Sequence, residues 1–260
     1  MLTKSHGRGN DYLVADPADL PFPVTPTRAR LLCDRHRGVG SDGILLLDGT
    51  SGLRIINPDG SEAEKSGNGI RIFARWLVSS GRAASSRFVV STRGGDVPVI
   101  VEGHEVTADM GAPRFGSLTE LDGIGQVVAV DLGNPHCVAP RPSLDITELR
   151  RLGPLIEHHQ AFPNRTNVQL ARAVGRDRVE LLIWERGAGE TQASGSSACA
   201  AFAALHHLGL VDRAVTASMP GGQLRLWLDE QDHIWMRGPV EEVAHITLSS
   251  DLIARLQALP

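Results

Sequence analysis

The sequence lacks the features of disulfide-rich, membrane-spanning and secreted proteins. Its three cysteines, Cys33, Cys137 and Cys199, are an odd number without zinc-site spacing, so they indicate neither a disulfide framework nor a metal centre. No run of about 18 apolar residues is present, so no segment is predicted to span a bilayer. The start, MLTKSHGRGND, lacks the apolar stretch of a signal peptide. We therefore expect a cytoplasmic protein whose cysteines are small buried hydrophobic residues.

Basic charge and metal-binding motifs are also scarce. The net charge is −4, which argues against nucleic acid or an anionic membrane as the main partner. The ten histidines and the carboxylates form no HExxH or similar constellation. We expect no metal and no organic cofactor. With 260 residues, 42% of them hydrophobic, the chain is long enough for two domains with real cores.

The two halves of the chain resemble each other. Four pairs of segments align in the same order at offsets of 124 to 128 residues: 9–15 with 133–139, 66–69 with 194–197, 94–95 with 221–222, and 110–111 with 237–238. A repeat this long is typical of a duplicated domain and not of a solenoid. Equivalent loops of two such domains are expected to face each other across a cleft.

Strand patterns dominate, with a few helices between them. Helices are predicted at 27–36, 67–81, 143–159, 196–209 and 249–259. Strands are predicted at 43–49, 53–60, 87–95, 97–103 and 105–111, and again at 126–133, 166–174, 178–187, 214–222, 223–231 and 233–238. Each half therefore combines many strands with one helix after its Ser-Gly loop. The second of these helices is almost wholly apolar, which predicts burial on all sides.

The placement of the two Ser-Gly loops before helices suggests a site for an anion. The first amides of a helix lack intrahelical partners, and with the helix dipole they favour a negative charge in front of them. Serine is also an ordinary N-cap residue. Because the loop recurs in both halves, we prefer the interpretation that the two loops hold a small carboxylate.

Long motifs in both halves resemble the signature of the diaminopimelate epimerase family. The first runs from Asn57 to Arg71, NPDGSEAEKSGNGIR, and the second from Glu185 to Gly195, ERGAGETQASG. HGRGNDYLVAD, DRHRGVGSDG, LGNPHCV and NRTNVQL stand in the family's order, so the resemblance covers the whole chain.

The resemblance implies a fold and an activity. The fold is α+β, with two pseudo-symmetric domains, each a strand-rich barrel around a central helix, and the active site in the cleft between them. We expect one domain at 1–117 and 249–260 and the other at 118–248. The activity is cofactor-independent epimerisation at the α-carbon of an amino acid, most directly diaminopimelate, a precursor of lysine and peptidoglycan. The sequence leaves a homodimer open as the oligomeric state.

The resemblance also assigns the site residues. In the family, two cysteines on opposite sides of the α-carbon move the proton, and here Ser66 and Ser194 occupy both catalytic positions. Other positions match residues that hold the distal amino acid end, namely Asn10, Asn57, Asn134, Asn167, Glu185 and Arg186. The cradle for the carboxylate at the reacting centre matches Gly67, Asn68, Gly195 and Ser196.

The paired serines are the main departure from the family. A cysteine titrates near pH 8.5 and can become a thiolate at a helix N-terminus, whereas a serine hydroxyl needs a neighbouring base. Candidate helpers for the two serines are His136, Asp59, Glu62, Glu64 and Glu190.

Three accounts follow. The chain is an amino-acid epimerase or racemase, either a natural form with assisted serines or a cysteine-to-serine form that traps ligand. Alternatively, it is a diverged isomerase of the same fold, with a carboxylate or histidine base, that acts on another amino acid or on a substrate with a more acidic proton. The third account is a non-catalytic amino-acid-binding protein.

Overall fold

The computed structural model describes all residues, 1–260, and contains 18 strands. In chain order the strands are β1 (Leu2–Gly7), β2 (Asn10–Ala15), β3 (Ile44–Asp48), β4 (Gly52–Ile56), β5 (Glu62–Ala63), β6 (Arg87–Thr92), β7 (Gly95–Glu102), β8 (Glu105–Asp109), β9 (Arg114–Leu121), β10 (Gly125–Asp131), β11 (Pro135–Pro140), β12 (Asn167–Gly175), β13 (Arg178–Glu185), β14 (Gly189–Thr191), β15 (Ala214–Met219), β16 (Gly222–Leu228), β17 (Ile234–Pro239) and β18 (Glu241–Ile246).

Five α-helices accompany the strands. They are α1 (Pro26–Cys33), α2 (Gly67–Ser79), α3 (Ile146–Glu157), α4 (Gly195–His207) and α5 (Ser250–Gln257). All five predicted helices are confirmed, with ends within about three residues of the predicted ones. None of them is long and apolar enough to cross a membrane.

Every predicted strand segment contains a strand, but seven strands were not predicted. They are β1, β2, β5, β9, β11, β14 and β18. The polar segment LTKSHG of β1 shows why, because it pairs with β2 next to it and with β18 more than 200 residues away. Pairing of this kind depends on partners that a local sequence pattern does not contain.

The two halves that resemble each other in sequence also pair their strands in the same way. Corresponding pairs in the two halves are parallel β2–β3 (Leu13 opposite Ile44) and β11–β12 (Cys137 opposite Val168), β4–β5 (Ile55 opposite Ala63) and β13–β14 (Ile183 opposite Thr191), and β6–β7 (Thr92 opposite Gly95) and β15–β16 (Met219 opposite Gly222). Both partners of each pair shift by the same offset, 124, 128 and 127 residues respectively. The duplication found in the sequence is therefore present in the register of the sheets.

The chain divides into two compact units. Unit 1 contains Met1–Thr107 and Pro239–Pro260, and unit 2 contains Ala108–Gly238. Unit 1 is discontinuous because β18 pairs with β1 and α5 packs on the same core. Leu256 of α5 is fully buried there, and its carbonyl accepts the Arg28 Nε–H at 2.7 Å.

Each unit has a central helix among its strands. In unit 1, α2 packs against β1, β2, β4 and β7. In unit 2, α4 packs against β10, β11, β12, β13, β15 and β16, and all residues from Gly195 to Leu205 are buried. The predicted burial of this helix on all sides is confirmed. Its small alanines let the strands approach closely, and a buried Phe202 contributes about 1.5–3 kcal/mol.

Candidate active site

The two motif serines occupy the same position in the two central helices. Ser66 is the N-cap of α2 with φ −141° and ψ 118°, and Ser194 is the N-cap of α4 with φ −143° and ψ 123°. Their side chains differ: Ser66 Oγ accepts the Gly69 N–H at 3.1 Å, whereas Ser194 makes no side-chain cap bond. Each serine thus precedes the first-turn amides of a 13-residue helix, which have no acceptor within the helix itself.

In unit 1, a directed chain of hydrogen bonds connects the cradle residue Asn68 with Asn10. Arg71, which is fully buried, donates to Asn68 Oδ1 at 2.8 Å and to the Gly67 carbonyl at 3.2 Å. Asn68 Nδ2 donates to Asn10 Oδ1 at 3.1 Å, and Asn10 Nδ2 donates to Asp42 at 2.9 Å. The structure therefore brings Asn10, Gly67 and Asn68 together and orients the side-chain amides of the two asparagines.

A cluster of charges stabilises the strand that carries Asn10. Asp11 forms ion pairs with Lys4 at 2.9 Å and Arg35 at 2.6 Å, and Arg35 also reaches Asp42 at 2.8 Å. Burial raises the pKa of Asp11, but the hydrogen bonds and charges of Arg35 and Lys4 outweigh it and leave the pKa lowered. Asp42 is thereby held as the acceptor for Asn10.

Asn57 and Asp59 lie together in the turn after β4. Asn57 Nδ2 donates to Ser61 Oγ at 2.9 Å, and Asp59 Oδ1 accepts the Ser61 hydroxyl at 2.6 Å and its N–H at 2.8 Å. These hydrogen bonds from Ser61 lower the pKa of Asp59. The carboxylate of this candidate helper is therefore engaged in its own turn and is a weaker base than usual.

In unit 2, His136 lies among Asn134, Gln169 and Ser197. Its Nε2 is 3.1 Å from Asn134 Oδ1 and its Nδ1 is 3.1 Å from Gln169 Nε2, which also donates to Ser197 Oγ at 3.0 Å. Burial, with a smaller contribution from the charge of Arg186, lowers the pKa of His136 to about 3 although Asp131 and the hydrogen bond of Gln169 act to raise it. The ring is neutral at physiological pH and a weak base. A neutral ring that accepts at Nδ1 carries its hydrogen on Nε2, towards Asn134.

Asn167 positions the backbone that carries Arg186. Its Nδ2 donates to the Pro135 carbonyl at 2.9 Å, and its Oδ1 accepts the Arg186 N–H at 3.0 Å. Asn167 begins β12 and is 8% exposed, while Glu185 ends β13. The structure therefore brings Asn167, Glu185 and Arg186 to the same end of neighbouring strands.

A buried carboxylate, Glu157 at the end of α3, supports the turn after Arg186. It accepts the Gly187 N–H at 2.9 Å, the Trp184 Nε1–H at 2.7 Å and the Arg165 Nε–H at 3.0 Å. Burial raises the pKa of Glu157, but the hydrogen bonds from Trp184, Arg165 and Gly187 outweigh it and leave the pKa lowered. Sequence reasoning missed Glu157; its signal was a charged residue within the apolar end of a helix.

Two other candidate helpers, Glu190 and Glu62, are in ion pairs. Glu190 pairs with Arg150 at 2.7 Å, and Glu62 pairs with Arg54 at 3.1 Å. The buried residues at the start of α4 are Gly195, Ser196 and Ser197, next to Ser194, which is 8% exposed.

The three cysteines are free and buried, as predicted. Burial raises the pKa of Cys33 and raises that of Cys137 to about 12, and Cys199 is fully buried within α4. None of them is an accessible thiolate that would replace the cysteines expected at 66 and 194. No group of three or more His, Cys, Asp or Glu side chains is arranged to hold a metal ion.

One further group beside a motif serine was missed from the sequence. The Tyr12 phenol oxygen lies 3.3 Å from Ser66 Oγ. Its signal was present, since Tyr12 belongs to the repeated segment 9–15 and corresponds to His136 at the offset of 124 residues.

Known proteins resemble this chain both in sequence and in fold. The model of a family described as diaminopimelate epimerase matches residues 2–116 and 128–243. Diaminopimelate epimerase 2 of Nostoc sp. (strain PCC 7120) is 42% identical over 274 residues, covering 96% of this chain and 96% of that protein. Diaminopimelate epimerase of Pseudomonas entomophila is 39% identical over 265 residues, covering 93% and 96%.

A solved structure shares the fold at low sequence identity. The hydroxyproline epimerase from Agrobacterium vitis, crystallised with trans-4-OH-L-proline, has a TM-score of 0.69 and 17% identity, covering 94% of this chain and 89% of that one. The predicted α+β fold of two related halves is confirmed.

Proposed function

The chain belongs to the diaminopimelate epimerase family, and from this premise we propose that it inverts the α-carbon of diaminopimelate without a cofactor. Membership of the family places it among the isomerases. The proposal goes further, to the substrate and to Ser66 and Ser194 as the two proton-transfer positions. A cytoplasmic location and a homodimer stay predictions.

The matched N-caps carry this proposal. Ser66 and Ser194 start two central helices with φ and ψ within about 5° of each other. The backbone N–H groups of Gly67 and Asn68, and of Gly195 and Ser196, belong to the first turns of these helices, which are suited to a carboxylate. When an α-proton leaves an amino acid, negative charge spreads into its carboxylate, and helix N-termini stabilise such charge most where it develops.

The side chains of Arg186 and Glu185 fit a substrate with two amino acid ends. Arg186 offers a guanidinium for a carboxylate, and Glu185 offers a carboxylate for an ammonium group. The Arg186 backbone is tied to Asn167, and the following Gly187 to Glu157. Anchoring of this kind reduces the free energy needed to order the turn on binding.

The serines set an upper limit on the expected rate. Each 1.4 kcal/mol of lost transition-state stabilisation costs about tenfold in rate, so a serine pair without help would be slower than a cysteine pair by several powers of ten. His136, Asp59 and Glu190 are all engaged with other partners, which does not favour them as helpers.

The test is proton NMR of diaminopimelate in deuterated water, following loss of the α-proton signal. The protein is compared with the Ser66→Cys/Ser194→Cys variant, and Thr3→Val, a change at another buried hydroxyl, serves as the control. We expect exchange by the protein itself and an increase of at least about 100-fold in the double-cysteine variant.

Other outcomes would contradict the proposal in different ways. Exchange by the cysteine variant alone would mean that the substrate binds as in an epimerase but that the two serines do not transfer protons. Absence of exchange in both, with calorimetric binding of diaminopimelate, would favour an amino-acid-binding protein. Absence of both exchange and binding would point to another substrate.

A further inference from the structure

Tyr12 lies beside the first motif serine and is held there by packing. Its phenol oxygen is 3.3 Å from Ser66 Oγ, and its side chain is buried, with 7% of the residue exposed. The missing side chain of Gly43 leaves room for the ring, since a Cβ there would lie 2.8 Å from Tyr12 Cε1. The phenol is therefore a fixed neighbour of the α2 N-cap.

The phenol of Tyr12 is acidic enough to act as a base after ionisation, which the hydroxyl of Ser66 is not. An ordinary tyrosine titrates near pH 10, about 1.5 units above cysteine, whereas an aliphatic hydroxyl is far less acidic than either. A serine becomes an effective proton-transfer group when an adjacent base takes its hydrogen. Tyrosine is among the side chains that serve as general bases.

The hydrogen-bond capacity of Ser66 fits such a partnership. A hydroxyl has one hydrogen and two lone pairs. The Gly69 N–H occupies one lone pair of Ser66 Oγ at 3.1 Å. With its hydrogen directed to the oxygen of Tyr12, Ser66 retains one lone pair, which is the one needed to receive a substrate proton.

We propose that Tyr12 activates Ser66, so that the pair, and not the serine alone, is the base on this side of the substrate. The inference rests on the proposed function. The α-C–H bond breaks, and its electron pair stays on the substrate and spreads into the carboxylate. The proton bonds to Ser66 Oγ while the serine hydrogen passes to the Tyr12 phenolate, and the reverse steps return a proton. Tyr12 acts through Ser66 and is a positioning residue with a titrating group.

The arrangement is confined to one half of the repeat. His136 corresponds to Tyr12 at the offset of 124 residues, but its ring nitrogens are engaged with Asn134 and Gln169. The inference therefore predicts an asymmetric enzyme, in which loss of the Tyr12 hydroxyl affects proton removal from one configuration of the α-carbon only.

The first experiment measures α-proton exchange from each configuration of diaminopimelate separately. Tyr12→Phe removes only the hydroxyl, and Thr3→Val removes another buried hydroxyl in unit 1, one that bonds to His245. We expect Tyr12→Phe to slow exchange from one configuration by about 100-fold or more and to leave the other within about threefold. Ser66→Ala should slow the same configuration, and Thr3→Val neither.

The second experiment uses the fact that Tyr12 is the only tyrosine in the chain. Absorbance at 295 nm then reports ionisation of Tyr12 alone, and biosynthetic incorporation of 3-fluorotyrosine makes that one phenol more acidic. We expect the alkaline rise of the exchange rate to follow the 295 nm titration. Both curves should shift to lower pH by the same amount with 3-fluorotyrosine, a change that a purely structural hydroxyl would not produce.

Comparison with Tyr12→Phe separates Tyr12 from other ionisable groups. We consider β2, the strands that pair with it, α2, the strands that pack on α2, and the segments before Gly43 and Ser66. The ionisable groups on them are Lys4 and His6 on β1, Asp11 on β2, Asp48 on β3, Arg54 on β4, Asp96 and Glu102 on β7, Arg71 and Arg75 on α2, Asp42 before Gly43, and Glu64 and Lys65 before Ser66. All of them are unchanged in the variant, so a rise that survives in Tyr12→Phe belongs to one of them and overturns the inference.

The experiments distinguish failure of the Tyr12 role from failure of the proposed epimerase function. If Tyr12→Phe exchanges both configurations at the rates of the active parent protein, the role of Tyr12 is overturned and the epimerase function is left intact. Exchange by the double-cysteine variant alone also overturns it, because the serine would then not be a working base. No exchange by any variant overturns the proposed function itself.

Discussion

The side-chain oxygen of Asn167 accepts the backbone N–H of Arg186 at 3.0 Å. The same side chain donates to the Pro135 carbonyl at 2.9 Å, so both ends of the amide are used within unit 2. A residue expected to bind substrate directly thus also fixes the backbone of a second expected substrate residue. We therefore expect a substitution at Asn167 to change both stability and substrate binding.

Replacing Asn167 is therefore expected to destabilise the protein. Asn167→Leu leaves the Pro135 carbonyl and the Arg186 N–H without this partner, and loss of a buried hydrogen bond costs about 1–3 kcal/mol. Equilibrium unfolding in urea measures the change. Asn57→Ala is the matched control, since Asn57 bonds only within an exposed turn and should cost less than about 0.5 kcal/mol. Equal losses in the two variants would contradict the structural role.

The N-caps should contribute unequally to stability although they match in backbone geometry. Ser66→Ala removes the bond to the Gly69 N–H and should lower the free energy of unfolding by about 1 kcal/mol. Ser194→Ala removes no side-chain cap bond and should stay within about 0.5 kcal/mol of the parent. Urea unfolding of the two variants side by side is the measurement, and equal effects would show that Ser194 also caps its helix.

Glu157 should make stability depend on pH in acid. Its pKa is lower in the folded protein than its ordinary value, so its contribution is present above that ordinary value and is lost as the pH falls through the folded pKa. Glu157→Gln should cost about 1–3 kcal/mol at pH 7, and this difference from the parent should shrink towards pH 3.

The control for Glu157 is a glutamate on the surface. Glu120 on β9 is exposed, and Glu120→Gln should follow the parent protein at every pH. Unfolding curves between pH 3 and 7 for the three proteins provide the comparison. A constant difference between Glu157→Gln and the parent across this range would show that the charge of Glu157 is not what matters.

The pKa values of His136 and His233 should be shifted in opposite directions. Burial lowers the pKa of His136 to about 3, whereas the hydrogen bond to Asp109, at 2.9 Å, raises the pKa of His233 above 6.5. Long-range proton–nitrogen NMR spectra should show His136 neutral down to about pH 4 and His233 protonated by about pH 6. His136→Asn and His233→Asn identify the two signals, and protonation of His136 near pH 6 would show that its site admits water.

The same shifts predict opposite effects on stability. Between about pH 6.5 and 3 the unfolded chain binds a proton at His136 that the folded protein does not, so stability falls as the pH falls, by at most about 5 kcal/mol. The charged pair of His233 and Asp109 stabilises below the unfolded pKa of His233 and is lost as the pH rises through the folded pKa. In unfolding measurements, His136→Asn should flatten the acid limb and His233→Asn should not.

The amino-acid sequence was sufficient to predict the duplication, the five helices, the positions of both serines and membership of the family. These features depend on local patterns and on long motifs, which need no knowledge of distant partners. The serines before α2 and α4 could be predicted as N-caps because capping is a local interaction.

The tertiary structure decided which groups meet across the chain. Strand β1 depends on its pairing with β18. Tyr12 becomes a neighbour of Ser66, the α2 N-cap 54 residues away, only when the chain folds. His136 was a candidate helper in the sequence, and only its burial reduced it to a weak base. Hydrogen-bond partners and pKa values depend on desolvation and on contacts between distant residues, which arise only when the chain folds.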